Sequence, residues 1–229
     1  MIELQNVTKK YGRKKVLNGV SFTAEKNEIT CLIGINGVGK STVLKAIMGL
    51  TPIDKGHIHI DEQPVHYWHY ERITFVPDTI TMPGSMTIKA CMRFMADFYN
   101  NWNQSRANEL LIFFKLKVED KVAELSKGNA AKLNLLLGLA VDSDYILMDE
   151  PFSGIDVFSR EQIASVFTSQ LIEDRGVIIT THEINDIEHL LDKVVLLDQG
   201  AVLTSFNCEE MRQEQGKSVM DVMREVYQT

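Results

Sequence analysis

The chain is short of several things, and each shortage removes a class of protein. Only three cysteines occur in 229 residues, Cys31, Cys91 and Cys208. They are odd in number and far apart, which argues against a disulfide framework and fits reduced thiols in the cytosol better. Basic residues are in deficit: 24 Lys and Arg against 31 Asp and Glu leave a net charge of −7. A protein that coats nucleic acid needs the opposite surplus to neutralise phosphates, so no nucleic-acid partner is expected. Long apolar runs are missing too. The longest, residues 133–141, is broken by Asn134 and followed by Asp142, far below the roughly 18 to 20 residues that cross a bilayer. The first eight residues carry Glu3 where a leader would be basic and hold no apolar stretch, so no secretory leader is expected. A cytoplasmic protein is expected, whose membrane work, if it has any, runs through a partner. Internal repeats, low-complexity tracts and dividing linkers are also absent.

What remains is an ordinary globular composition, 45% apolar and 24% charged, in a length that suits one large domain with room for a subdomain. Apolar patterning suggests strands at 2–7, 16–23 and 28–33, then a helix over 40–50 stopped by Gly49, a residue suited to a helix C-terminus. Further strands are expected at 57–61 and 73–76. After Pro77 the pattern turns helical, over 88–99, 105–116 and 129–139. Strands return at 145–148, 177–180 and 193–198, separated by helical stretches at 159–174 and 184–191. Alternating strands and helices imply an α/β fold with a mainly parallel sheet covered on both faces. The expected division is a core of residues 1–77 and 142–206, a helical insertion at about 78–141 and a helical tail at 207–229, all within one domain.

Gly34, Gly39, Lys40 and Ser41 stand in the spacing G-x-x-x-x-G-K-[ST], after an apolar run and at the start of a helical pattern. Glycines let successive backbone N–H groups of residues 34–39, through Asn36, Gly37 and Val38, curl around phosphates, and the helix adds its positive end. Lys40 then reaches the β and γ phosphates of ATP, and the Ser41 hydroxyl, followed by Thr42, ligates Mg²⁺. Downstream, the apolar run 145–148 ends in Asp149 and Glu150. Asp149 is suited to hold Mg²⁺ and Glu150 to polarise a water for in-line attack on the γ-phosphate. His182 follows another apolar run and is assigned to the γ-phosphate and the attacking water. The other five histidines read as structural. His66 and His69 lack the further ligands a metal site needs.

With these pieces in order, the sequence resembles the ATP-binding cassette (ABC) family over essentially its whole length. The decisive segment is Leu125-Ser126-Lys127-Gly128-Asn129, which stands where that family carries Leu-Ser-Gly-Gly-Gln. The resemblance implies a P-loop NTPase core, an N-terminal antiparallel β region and a helical subdomain that bears this signature. It also implies that Ser126 and Gly128 contact the γ-phosphate on a second ABC subunit, so that ATP joins a head-to-tail dimer. Tyr11 matches the aromatic that stacks on adenine, Val16 the small apolar residue beside it, and Asp156 the acidic member of the loop between the two sites. Three positions depart from the family: Asp78 replaces Gln near Mg²⁺, Lys127 replaces Gly, and Asn129 replaces Gln. Lys127 reads either as a cation for the phosphates or as a solvated surface lysine.

The Val-Pro-Asp segment at 76–78, the Leu-Ser-Lys-Gly form and the aromatic run Phe98, Tyr99 and Trp102 resemble stand-alone bacterial cassettes of ABC-2-type exporters. That resemblance implies a separate multi-spanning permease subunit, peripheral attachment to the inner face of the plasma membrane, and a peptide, drug or amphipathic cargo. Phe98, Tyr99 and Trp102 read equally well as core or loop anchors. The competing function is a soluble ABC-type ATPase acting on ribosomes or chromosomes. It lacks support from a second cassette, a coiled-coil insertion or a basic tail.

Overall fold

The computed structural model describes residues 1–169, 172, 174–182, 184 and 187–228. Two sheets organise the chain. The first has the order β2-β1-β4-β5, built from β1 (Ile2–Tyr11), β2 (Lys14–Ala24), β4 (Lys55–Ile60) and the short β5 (Gln63–Pro64), all antiparallel. The second has the order β10-β9-β3-β8-β7-β6. In it β3 (Ile29–Ile33), β6 (Ile73–Val76), β7 (Tyr145–Asp149), β8 (Gly176–Thr181) and β9 (Lys193–Asp198) run parallel, and β10 (Ala201–Asn207) returns antiparallel to β9. This is the expected α/β architecture with an N-terminal antiparallel region.

The parallel strands read as mostly apolar runs because both faces are covered. Successive side chains of β7 alternate between two cores. Tyr145 and Leu147 enter the cluster shared with the antiparallel sheet and α1 (Lys40–Ile47), while Ile146 and Met148 enter the cluster under the helices. Leu32, Ile178 and Val195 join the first group, and Cys31, Ile33, Ile179 and Val194 the second. The two-residue period of a strand thus builds two cores from one sheet.

Between β6 and β7 lie α2 (Ile88–Phe98), α3 (Gln104–Phe113) and α4 (Lys127–Leu139). Thr87, Asn103 and Ser126 each cap one of them by accepting a hydrogen bond from the backbone N–H three residues on, the arrangement that satisfies an otherwise orphaned donor. Gly49 follows α1 with φ of +65° and its N–H on Ala46 O, as its place in the sequence suggests.

Two expected helices come out shorter. In place of a helix over 159–174 there is α5 (Val157–Ala164), and residues 170, 171 and 173 lie outside the described residues. Beyond Ala164 the backbone tightens to bonds from Val166 to Ile163, Phe167 to Ala164 and Ser169 to Val166. The hydroxyls of Ser165, Thr168 and Ser169 donate to carbonyls three residues back, competing with helix continuation. Of the helix expected at 184–191, only a 3₁₀ turn at Glu188–Leu190 is present, and residues 185 and 186 lie outside the described residues. Strand β10, which apolar patterning does not mark, pairs with β9 across Gln199 and Gly200, both at positive φ, the backbone a two-residue hairpin turn requires. The tail forms α6 (Cys208–Gln215) and α7 (Val219–Gln228).

Candidate functional site

The site collects at the carboxyl ends of β3, β7 and β8, where loops leave a parallel sheet. Residues 34–39 connect β3 to α1. Gly39 adopts φ of +117°, and a Cβ there would lie 2.9 Å from both Val16 O and Leu17 Cδ2, so only glycine fits. No side chain caps α1, and its first turn holds no acidic residue. Among the described residues, its leading N–H groups and positive end therefore face the loop without a side-chain partner, the arrangement that receives an anion.

Lys40 is 5% exposed. Its ammonium donates to Gly34 O at 2.7 Å and sits 3.1 Å from Glu150 Oε1. The other Glu150 oxygen, Oε2, lies 2.8 Å from His182 Nδ1. Lysine, glutamate and histidine thus form one line of contacts, drawn from α1, the end of β7 and the end of β8. Glu150 holds φ of +47°, an uncommon conformation for a residue with a side chain. Its N–H donates to Thr180 O at 3.1 Å and to Thr180 Oγ1 at 2.9 Å, which fixes the turn that aims the carboxylate.

Behind this line, buried Asp149 accepts from Ser41 Oγ at 2.9 Å and from Thr180 Oγ1 at 2.6 Å, both on Oδ1. Thr180 is a residue that sequence reasoning misses. Its only signal is its place in an apolar strand two residues before His182. Among the described residues no group of three or more His, Cys, Asp or Glu gathers to hold a metal alone. The hydroxyl of Ser41 and the carboxylate of Asp149 are hard oxygen donors, the set that suits a Mg²⁺ whose remaining ligands come from phosphate and water. The residues therefore fit the metal expected here.

A cavity of about 680 Å³ opens over these groups. Its walls include Val16, Asn36, Gly37, Gly39, Lys40, Ser41, Thr42, Asp78, Glu150 and His182, and also Lys127. Gly34 lies beneath Lys40, and Val38 is buried. Tyr11 is not among the lining residues. Its ring is half exposed, with Lys9 Nζ 5.3 Å from its centroid and its hydroxyl 3.3 Å from Thr51 Oγ1. Ser126, Gly128 and Asp156 also stand apart from the cavity and serve the junction of α4 with α5. Ser126 Oγ accepts from Asn129 N at 3.2 Å, Asp156 accepts from Ser159 N at 2.9 Å, and a Cβ on Gly128 would collide with the Ser159 hydroxyl. The Ser159 backbone and hydroxyl hold the Asp156 carboxyl below its usual range, and the charge of Lys132 adds to this.

His69, by contrast, is buried and its Nδ1 accepts from His66 N at 3.0 Å, so it closes the 3₁₀ turn Tyr67–Glu71. Phe98 and Tyr99 are exposed rather than core, and both border a groove of about 720 Å³ with Met48, Leu50, Tyr70 and Phe75.

Comparison with known proteins places this geometry. The family profile described as ABC transporter matches residues 17–153. The ABC transporter ATP-binding protein YtrB of Bacillus subtilis is 31% identical over 217 residues, covering 93% of this chain and 74% of that protein. The Nod factor export ATP-binding protein I of Burkholderia lata is 33% identical, covering 87% of this chain and 68% of its own length. Among solved structures, an ATP-binding subunit of an ABC transporter superposes with a TM-score of 0.87 at 24% identity, covering 99% of each chain.

Proposed function

Since the chain belongs to the ABC transporter family, we propose that its described site hydrolyses ATP to drive export by a separate membrane subunit. The observation that carries the reading is the contact line Lys40–Glu150–His182 over an uncapped phosphate loop. ATP entering the cavity offers its β and γ phosphates to Lys40 and to the N–H groups of residues 34–39. Lys40 then exchanges Glu150 for phosphate, and Oε1 of Glu150 is released to a water. That water attacks the γ-phosphorus and yields its proton to Glu150 as the bond to the β-phosphate oxygen breaks. His182, hydrogen-bonded to Oε2, fixes the carboxylate during the transfer. Mg²⁺ would be held by Ser41 and Asp149, with Asp78 on the wall, and would neutralise phosphate charge.

Two further features support a multi-subunit assembly. Ser126, Gly128 and Asp156 lie outside the chain's own cavity, which suits residues offered to a second cassette. No helix among the described residues is long and apolar enough to cross a membrane. The groove lined by Met48, Leu50, Tyr70, Phe98 and Tyr99 then serves as the dock for a permease segment on the inner face of the plasma membrane. Residues 78–141 act as the signature-bearing subdomain. The exported class, a peptide, drug or other amphipathic molecule, rests on the Val-Pro-Asp and Leu-Ser-Lys-Gly forms.

The test is Mg²⁺-dependent phosphate release by the purified chain, together with its Lys40→Ala variant and affinity purification from cells. Turnover lost in the variant and co-purification with a multi-spanning membrane protein are expected. ATP binding undiminished by Lys40→Ala, or sedimentation with ribosomes or DNA, would overturn the reading.

A further inference from the structure

The segment that leaves His182 has little structure of its own among its described residues. Ile187 and Glu188 both donate their N–H to Ile184 O, and the 3₁₀ turn Glu188–Leu190 follows before β9 begins. Besides the pairing of Asp192 with Ile29 of β3, contacts from the far end of the chain hold it. Val219 N, at the start of α7, donates to Glu188 Oε1 at 2.8 Å, and Arg212 Nη2 of α6 donates to Glu188 O at 3.2 Å. Cys208 N donates to Asp192 O at 2.7 Å. The same helices join the apolar core on this side, because Cys208, Val219 and Val222 belong to the large buried cluster that also holds Ile184, Ile187 and Leu190. Helix α7 already has a local cap, in which Asp221 N donates to Ser218 Oγ and Ser218 N to Asp221 Oδ2. The Glu188 carboxylate takes the next donor and so ties the helix start to the segment behind the site.

We propose that α6 and α7 brace His182, with Glu188 and Arg212 as positioning residues for the hydrolytic step. The proposal rests on the role given to His182 above. Its chemical basis is the 2.8 Å contact between His182 Nδ1 and Glu150 Oε2, a geometry that depends on the position of the backbone that carries the ring. Six residues on, Glu188 is gripped by a side chain and by a backbone donor, both from the tail. Loss of either grip leaves the phosphate loop untouched, because that loop is built from β3 and α1.

The test compares Glu188→Ala, Glu188→Gln and Arg212→Ala in the full chain. Glutamine keeps the acceptor oxygen for Val219 N, while alanine removes it. We expect kcat to fall at least about tenfold in Glu188→Ala, since a misplacement of a reacting group by about an ångström can cost about a hundredfold and a partial shift correspondingly less. The KM and the Kd for ATP should stay within about twofold, and Glu188→Gln should recover most of the rate. The independent readout is the imidazole ¹⁵N spectrum, with His182 assigned through His182→Ala. In Glu188→Ala the His182 signal should move away from its hydrogen-bonded position while the signals of His57, His59 and His69 stay. An unmoved His182 signal and unchanged kcat in folded Glu188→Ala would overturn the brace. Equal losses in the alanine and glutamine variants, in step with a lower melting temperature, would overturn it as well. A wild-type chain without ATPase activity whose His182 signal still responds to Glu188→Ala would separate failure of the functional reading from failure of the brace.

Discussion

Replacing Glu150 by glutamine should do two opposite things to the site, and the contacts give their sizes. The Glu150 carboxylate lies 3.1 Å from the Lys40 ammonium, with side-chain exposures of 13% and 5%. At that distance and an effective dielectric of about 20, the attraction is roughly 5 kcal/mol. ATP has to replace this contact with one between Lys40 and phosphate, and it brings the γ-phosphate charge toward the same carboxylate. Glutamine removes both obstacles but leaves Lys40 with a poorer partner in the free protein. Since most of the pair's attraction is returned by phosphate, we expect a net gain of about 1 to 2 kcal/mol in binding, a Kd for ATP tighter by roughly five- to thirtyfold. Hydrolysis should fall by about 10² to 10⁴, the usual worth of a positioned acid–base group. Calorimetric titration with ATP and ADP, at protein concentrations where the chain is monomeric, reads the first effect, and single-turnover phosphate release the second. ADP should gain less, because it lacks the phosphate nearest the carboxylate. A Kd for ATP unchanged or weakened in a folded Glu150→Gln protein would refute the competition between Glu150 and phosphate for Lys40. Undiminished turnover would remove Glu150 from the chemistry.

Gly49→Ala should lower the stability read from urea unfolding by about 2 kcal/mol or more, because φ of +65° strains any L side chain and the new Cβ would collide with the Tyr70 hydroxyl. Tyr70→Phe in the same background should restore part of the loss, and full-length stability unchanged in Gly49→Ala would contradict the packing described. Acid should weaken the junction between the two sheets through Asp61. Burial by itself would raise its pKa, but hydrogen bonds from the Met1 ammonium, Tyr145 and Arg72 outweigh it and hold the carboxyl well below the usual range. A lowered folded-state pKa adds stability that is complete above the ordinary carboxylate value near 4 and is lost as pH falls below it. Asp61→Asn should therefore flatten the acid limb of a stability–pH curve between about pH 4 and 2, and an unchanged limb would exclude this network as its source.

The fold is legible in the sequence where its signals are local. The apolar runs 28–33, 145–148 and 177–180 correspond to β3, β7 and β8 because a strand buried on both faces reads as a near-continuous apolar run. Gly49 ends α1 as expected, since a positive φ is a property of one residue. Legibility fails where neighbouring hydroxyls compete with the backbone, as at Ser165, Thr168 and Ser169, which pure apolar periodicity counts as helix. It fails again at β10, whose residues have mixed exposure at a sheet edge and whose turn carries only Gly200 as a marker.

The candidate site divides along the same line. Lys40, Ser41, Asp149, Glu150 and His182 stand out by type and by position after strands, so the sequence alone singles out each as a candidate. Their mutual arrangement is not, because Lys40 and Glu150 are paired across 110 positions by the parallel neighbours β3, β8 and β7. Thr180 shows the difference most plainly. As a residue in an apolar strand it carries no motif, yet its hydroxyl and carbonyl receive Glu150 N, while the same hydroxyl donates to Asp149. One threonine thus orients both carboxylates, the one suited to a metal and the one suited to a water. A serine there would keep the hydroxyl, and a valine would keep the shape and lose both hydroxyl contacts. Both carboxylates are therefore set from β8, the strand that also leads to His182, so displacement of that one strand end would disturb Asp149, Glu150 and His182 together.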